Sequence, residues 1–234
     1  MGSDGAPVVS GHLRAASLSA RPWRSLRWLV IAPHPDDETL GTGALIYQTA
    51  REKRLAGIAY LTDGSGSHPA SVGRNLIATR KREAALALRR LAGETVDTLH
   101  LDWRDASPAH PGDPLFDHTC RRLIVLCVAR QVDAIAVTAL HEPHCDHAAA
   151  ARLAYAVRDT SPRPLRVAEY VVWGERPSPR GRTLLRTLPM PAGLRRHALA
   201  AHRSQTGTSQ GQGFRLPRSL SRMAAIDILY HTGD

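Results

Sequence analysis

The chain of 234 residues is 43% hydrophobic and carries a formal net charge of +10, which comes almost entirely from arginine because Lys53 and Lys81 are the only lysines. This length predicts one domain, and the aromatic residues, at 5%, are too sparse for a surface that stacks on nucleic-acid bases. We therefore do not expect nucleic acid as a partner. No apolar run approaches the roughly 20 residues of a membrane-spanning helix, so we do not expect membrane insertion. A homo-oligomer is compatible with the sequence.

The opening segment, residues 1–25, contains small residues, glycine and proline but no continuous apolar run. It therefore predicts a flexible N-terminal arm without a signal peptide or a membrane anchor. The remaining residues, 26–234, are assigned to a single domain. Three cysteines without framework spacing argue against a disulfide-stapled secreted protein and favour the cytoplasm.

From residue 28 onward, short apolar runs alternate with stretches of helical periodicity. Predicted strands and helices follow one another at 28–31, 43–54, 58–62, 75–93, 96–101, 116–130, 132–140, 148–158 and 165–173. This alternation predicts a three-layer, Rossmann-like α/β fold whose mostly parallel sheet is covered by helices on both faces.

Polar turns follow four of the predicted strands. Their sequences are HPDDE at 34–38, TDGSGS at 62–67, DWRD at 102–105 and HEPHCDH at 141–147. Because the carboxyl ends of parallel strands meet at one edge of a sheet, we expect these turns to converge.

The first and last of these turns together offer a metal site. His34, Asp37 and His147 form the set of two histidines and a carboxylate that commonly binds a catalytic zinc with one open position. Asp36 is then free to act as the base that takes a proton from water. His144, as an imidazolium, would stabilise an oxyanion or protonate a leaving amine.

Simpler explanations exist for individual residues. Acidic residues at a helix entrance are partly explained by the helix dipole, although capping requires no second histidine-rich turn at the matching edge. The Cys145 thiolate is itself a zinc ligand type. Asp146 is interpreted either as the N-cap of the following helix or as an acceptor that orients a ligand histidine.

The sequences APHPDDE at 32–38 and HCDHAA at 144–149 resemble the LmbE-like, or PIG-L, family of zinc-dependent N-acetylglucosaminyl deacetylases. The motifs of that family are His-Pro-Asp-Asp-Glu and His-Pro-Asp-His. The similarity extends to TDG at 62–64, to Arg80 and Glu83, and to HRSQ at 202–205.

By this resemblance, His34, Asp37 and His147 would bind one zinc ion per chain, Asp36 would be the general base, and His144 would face the oxyanion. The resemblance also implies that three further residues line or brace a sugar pocket, namely Asp63, Arg80 and Asp105.

Three positions carry alternatives to this reading. Arg80 is equally well explained as a helix-surface partner of Glu83 or Glu52. His202 and Gln205 match a late motif, and capping or packing explains them equally well. Cys145 stands where the family usually has proline.

The predicted function is a metal-dependent hydrolase that removes an N-acetyl or short N-acyl group from a small-molecule amino sugar or its conjugate, by attack of a zinc-bound water. The alternatives are another zinc hydrolase with a different amide or ester substrate, and a non-catalytic metal-binding module.

Overall fold

The computed structural model describes residues 15–68, 73–207, 216 and 223–233. The strands are β1 (Ala16–Ser17), β2 (Trp28–Ala32), β3 (Leu55–Thr62), β4 (Thr98–Trp103), β5 (Ala134–Thr138), β6 (Arg166–Tyr170), β7 (Thr183–Arg186) and β8 (Ile228–His231). The helices are α1 (Asp37–Arg51), α2 (Gly73–Ala92), α3 (Pro114–Ala129), α4 (Cys145–Thr160), α5 (Leu194–Leu199) and α6 (Arg203–Thr206).

The strands form one sheet in the order β1-β7-β8-β6-β5-β2-β3-β4. All neighbouring strands are parallel except β8, which runs antiparallel to both β6 and β7. The predicted α/β fold with a mostly parallel sheet is therefore confirmed.

The central strand β2 is buried on both faces, which explains its uninterrupted apolar sequence. Trp28, Val30 and Ala32 belong to a core that includes residues of α1 and α2. Leu29 and Ile31 point to the opposite face and pack with residues of α3 and α4. The alternation of side chains along one strand thus holds the two helical layers against the sheet.

The segment before β2 contributes to this core. Strand β1 pairs with β7, and the side chains of Leu18 and Trp23 are buried. Residues 15–25 therefore pack against the domain, where the sequence predicts a loose arm. Residues 1–14 lie outside the described residues, and for them the arm stays a prediction.

Several short elements near the C-terminus have no counterpart in the sequence prediction, namely β7, α5, α6 and β8. Each has four to six residues, which is too short to produce a clear period in the sequence. The basic segment 211–222, interpreted from the sequence as solvated, lies outside the described residues except for Leu216.

The strand order reverses beside β2, because the chain runs from β2 outward to β3 and β4 and then returns to β5 on the other side. Ile31 of β2 pairs with Val137 of β5, so the turns after these two strands leave the sheet side by side. Such a switch point is where open α/β sheets bind their ligands. Among the described residues, we find no helix with the length and apolarity that crossing a membrane requires.

Candidate metal centre

The turn after β2 leads directly into α1, which begins at Asp37, earlier than the helix that the sequence predicts over 43–54. Asp37 and Glu38 thus lie in the first helical turn, where the positive end of the helix dipole favours carboxylates. The residue before them, Asp36, has a φ of +149°, a region that side chains other than glycine rarely adopt. Its backbone N–H donates to Glu38 Oε2 at 2.9 Å, which holds the strained turn in place.

Three potential metal ligands converge at this turn. The Oδ2 atom of Asp37 lies 3.1 Å from Nδ1 of His34 and 3.2 Å from Nε2 of His147. All three residues are buried. Ligands of a tetrahedral zinc with bonds of about 2.0–2.2 Å stand about 3.3–3.6 Å apart, close to these separations. The trio therefore has the spacing and the donor types of a zinc site.

The nitrogens of His147 support this assignment. Both ring nitrogens are buried and, within the described part of the chain, have no partner with hydrogen-bond geometry, although Nε2 lies 3.2 Å from Asp37 and Nδ1 lies 3.4 Å from Glu142. A buried polar atom without a hydrogen bond is costly, and a bound metal ion would satisfy it. Burial alone would raise the pKa of Asp37, but the neighbouring His147 and His34 hold it well below its usual range. Burial lowers the pKa of His147, but Asp37 and Glu142 outweigh this and raise it to about 9.

The other ring nitrogen of His34 faces carboxylates. Its Nε2 lies 3.1 Å from Asp146 Oδ2 and 3.3 Å from Asp105 Oδ1. Burial opposes the charged imidazole, yet Asp105, Asp146 and Asp37 raise the pKa of His34 well above its usual value. With Nδ1 on a metal, Nε2–H would donate to Asp146, an arrangement common behind zinc ligands.

Asp146 is not the N-cap of α4, contrary to one interpretation of the sequence. The N-cap is His144, whose Nδ1 accepts the backbone N–H of Asp146 at 3.3 Å. The carboxylate of Asp146 instead points back to His34 and accepts the N–H of Ala106 at 2.8 Å. The side chain of Asp146 therefore contacts both the turn after β4 and the candidate metal centre.

The cap contact also indicates which ring nitrogen of His144 carries the proton. Because Nδ1 accepts a hydrogen bond, the proton of the neutral ring lies on Nε2. Partial burial, followed by the nearby His34 and His147, lowers the pKa of His144. The geometry thus favours a neutral Nε2–H donor, where the sequence predicts an imidazolium.

Asp36 is buried beside the trio and opposite Arg80. Burial raises the pKa of Asp36 to about 6, although Arg80 works in the opposite direction. Arg80 is 2% exposed and donates to the carbonyl oxygens of Gly64 at 2.8 Å and Pro35 at 3.0 Å. Its guanidinium lies 3.5 Å from Asp36 Oδ2. Arg80 therefore braces the metal-site turn and does not pair with Glu83 or Glu52 on a helix surface.

A cavity of about 460 Å³ opens beside these residues. The residues that line it are His34, Asp36, Asp37, Gly66, Ser67, Arg80, Asp105, Ala106, Pro143, His144, Trp173 and Gln205. Asp63 is not among the lining residues, and its Oδ1 accepts the backbone N–H groups of Ser65 at 2.9 Å and Asp105 at 3.4 Å. Asp63 thus supports two loops of the cavity wall.

Residues 29–158 match the family model described as PIG-L, GlcNAc-PI de-N-acetylase. The chain belongs to the PIG-L family. No curated protein matches the sequence. Among solved structures, it is similar to the conserved protein TT1542 from Thermus thermophilus, with 26% identity, a TM-score of 0.56, and coverage of 77% of this chain and 80% of that one.

Other similar structures have names that describe deacetylases. The N,N'-diacetylchitobiose deacetylase from Pyrococcus horikoshii is 21% identical, with a TM-score of 0.60 over 85% of this chain and 74% of that one. The zinc-inhibited form of teicoplanin deacetylase Orf2 is 16% identical, with a TM-score of 0.62 over 88% and 97%. At these identities the likeness establishes the shared fold.

The position that departs from the PIG-L motif is Cys145. Its thiol is exposed and lies 3.8 Å from Asp146 Oδ1, and it is not part of the buried trio. Three residues of the late PIG-L-like motif are buried, namely His202, Ser204 and Gln205. Nε2 of His202 lies 3.4 Å from Glu38 Oε1, and Ser204 Oγ donates to Glu83 Oε2 at 2.6 Å.

Two residues near the site are not singled out by the sequence reasoning. Glu142 lies 3.4 Å from Nδ1 of His147, and Trp173 forms part of the cavity wall. The signal for Glu142 is an acidic residue inside the histidine-rich turn HEPHCDH, two positions before His144. Trp173 lies beyond the end of β6 at Tyr170, whereas the sequence predicts it as the last residue of a strand over 165–173.

Proposed function

We propose that this PIG-L family protein is a zinc-dependent N-deacetylase that removes an N-acetyl or short N-acyl group from a small-molecule amino sugar or its conjugate. The observation that carries the proposal is the buried trio of His34, Asp37 and His147 at one end of a cavity that also contains Asp36 and His144. A carboxylate base and a nitrogen donor beside a metal site are what amide hydrolysis requires.

The trio would hold one zinc ion, with His34 supplying Nδ1, His147 supplying Nε2 and Asp37 supplying a carboxylate oxygen. Zinc in such a site is a Lewis acid that polarises a carbonyl and lowers the pKa of water toward about 7. Asp146 and Glu142 lie behind the two histidines and would keep both rings in the ligating tautomer.

Asp36 would then remove a proton from water, and the resulting hydroxide would attack the carbonyl carbon of the N-acyl group. A pKa of about 6, raised by burial, leaves Asp36 ionised at neutral pH but still close enough to that pH for a useful general base. The Nε2–H group of His144 would donate to the negative oxygen that forms. Breakage of the carbon–nitrogen bond, with the proton returned from Asp36 to the nitrogen, yields a carboxylate and a free amine.

Substrate selection would fall to the loops around the cavity. Asp105 and Ala106 come from the loop after β4, and Trp173 comes from the segment after β6. A cavity of about 460 Å³ falls within the size range of small-molecule sites. Arg80 and Asp105 would contact or brace the sugar, with Asp63 supporting the loops behind them.

Two rival functions use the same residues. Another zinc hydrolase would retain the metal and Asp36 but act on a different amide or an ester. A non-catalytic metal-binding module would bind zinc without turnover, which the presence of Asp36 and His144 beside the trio disfavours.

The test is amine release from a panel of N-acetylated amino sugars that includes N-acetylglucosamine and N,N'-diacetylchitobiose. Wild type, Asp36→Ala and the control Asp159→Ala are compared after zinc analysis, because Asp159 is exposed on α4 and contacts Arg158. We expect release by wild type and Asp159→Ala, and loss of at least about 100-fold in Asp36→Ala with zinc retained.

The other outcomes would contradict either the amino-sugar substrate or the role of Asp36. Zinc bound by wild type without amine release from any sugar would reject the amino-sugar substrate, and hydrolysis of other amides or esters would then identify the related hydrolase. Equal activity in Asp36→Ala and wild type would reject Asp36 as the base.

A further inference from the structure

Glu142 is a buried carboxylate with contacts on two sides. It follows β5 in the turn before α4, and its side chain has no exposed surface. On one side, Oε2 lies 3.4 Å from Nδ1 of the proposed ligand His147, which is within ion-pair distance but lacks hydrogen-bond geometry. On the other side, its oxygens accept the backbone N–H groups of three consecutive residues, Val172 at 2.6 Å, Trp173 at 3.2 Å and Gly174 at 3.2 Å.

These contacts join two parts of the cavity. His147 lies at the base of α4, whereas Trp173 lies in the segment after β6 and lines the cavity wall. Three successive backbone N–H groups of that segment donate to Glu142. The carboxylate therefore helps to position the part of the cavity wall that contains Trp173.

An ionised carboxylate suits both sides, because backbone amides and a protonated histidine nitrogen are all donors. It accepts hydrogen bonds at about four lone-pair positions and donates none, so it faces the amides and the histidine N–H at once. A glutamine of the same shape presents an NH2 group to one side or the other, and there it meets another donor. The pattern of contacts therefore explains why an acidic residue stands at this position.

We propose that Glu142 is a positioning residue that couples metal binding at His147 to the order of the backbone at 172–174. The inference rests on the metal site of the proposed function and not on the identity of the substrate. When Nε2 of His147 binds zinc, the proton must lie on Nδ1, which faces Glu142. Zinc and the 172–174 segment thus stabilise the same position of one carboxylate, and the coupling is reciprocal.

The experiment compares wild type with Glu142→Gln and with Glu169→Gln as the matched control. Glu169 is also buried and accepts from a hydroxyl, Tyr155 at 2.9 Å, and from one backbone amide, Leu140 at 3.3 Å, but has no contact with His147 among those described. Zinc affinity is measured by competition with a chelator. We expect Glu142→Gln to bind zinc about 10–100-fold more weakly and Glu169→Gln to match wild type.

Hydrogen exchange supplies a second readout that a general loss of stability does not reproduce. In wild type and Glu169→Gln, added zinc should slow exchange at the amides of residues 172–174. In Glu142→Gln, zinc at saturating concentration should leave exchange at these amides unchanged. The wild-type comparison with and without zinc needs no variant, so it holds even if Glu142→Gln folds poorly.

The proposal is overturned if Glu142→Gln binds zinc as tightly as Glu169→Gln, or if zinc leaves wild-type exchange at 172–174 unchanged. Failure of the proposed reaction is a separate result, because neither readout involves amine release. A wild-type protein that binds no zinc would overturn this inference together with the metal site itself.

Discussion

Replacing Arg80 with methionine tests whether the metal-site turn depends on a buried brace. Methionine keeps much of the side-chain volume but removes the donors to Gly64 O and Pro35 O. A hydrogen bond from a charged group is worth about 1.5–3 kcal/mol, so we expect a loss of about 3–6 kcal/mol in the free energy of unfolding. Urea unfolding followed by circular dichroism measures the loss, and each kcal/mol lowers Tm by about 2–4 °C in a domain of this size.

Two further results follow from the same substitution. Because the charge of Arg80 lowers the pKa of Asp36, its removal should move the acid limb of the kcat/KM profile to higher pH. The control Arg80→Lys keeps the charge and should move that limb less, while still losing stability because one ammonium cannot replace the fork of the guanidinium. A loss of less than about 1 kcal/mol in Arg80→Met would refute the brace, since even one such bond is worth more.

Three other predictions concern the surroundings of the site. Gly41→Ala should destabilise the protein by about 1–3 kcal/mol in thermal unfolding, because the new Cβ would clash with the buried ring of Tyr170. The stabilisation expected from helix propensity alone would contradict this packing argument. Burial lowers the pKa of His202, but the neighbouring Glu38 outweighs burial and raises the pKa above its usual value. Wild type should therefore be more stable than His202→Phe by its full margin below about pH 6.5. This margin should decline at higher pH, as the histidine of the folded protein loses its proton. Urea unfolding at several pH values measures that difference, and a constant difference would argue against the ion pair. Cys145→Ala should keep zinc stoichiometry and activity unchanged, because the thiol lies outside the trio, and loss of zinc in that variant would make Cys145 a ligand.

The parallel core of the fold could be predicted from the sequence because its strands are mostly apolar and four of the predicted strands are followed by a polar turn. The same rule indicates that the turns containing His34 and His147 meet at one edge of the sheet. What could not be predicted is the antiparallel strand β8 inserted between β6 and β7, because its four residues carry no distinctive pattern and its pairing depends on distant parts of the chain.

The directions of side chains at the site also could not be predicted from the sequence. Periodicity places Asp146 near a helix start but does not determine whether its carboxylate caps the helix or points to His34. Glu142 and Trp173 meet only because the segment after β6 folds back beside the turn after β5. Such contacts depend on tertiary packing between segments about 30 residues apart, which local sequence patterns do not encode.

The most direct test of the proposed zinc site is a crystal structure of the zinc-loaded protein with anomalous scattering measured at the zinc edge. We predict one strong peak per chain, about 2.0–2.2 Å from Nδ1 of His34, a carboxylate oxygen of Asp37 and Nε2 of His147. A zinc peak on the Cys145 thiolate, or between Asp105 and His144 with the trio empty, would contradict the assignment of the trio as the metal centre.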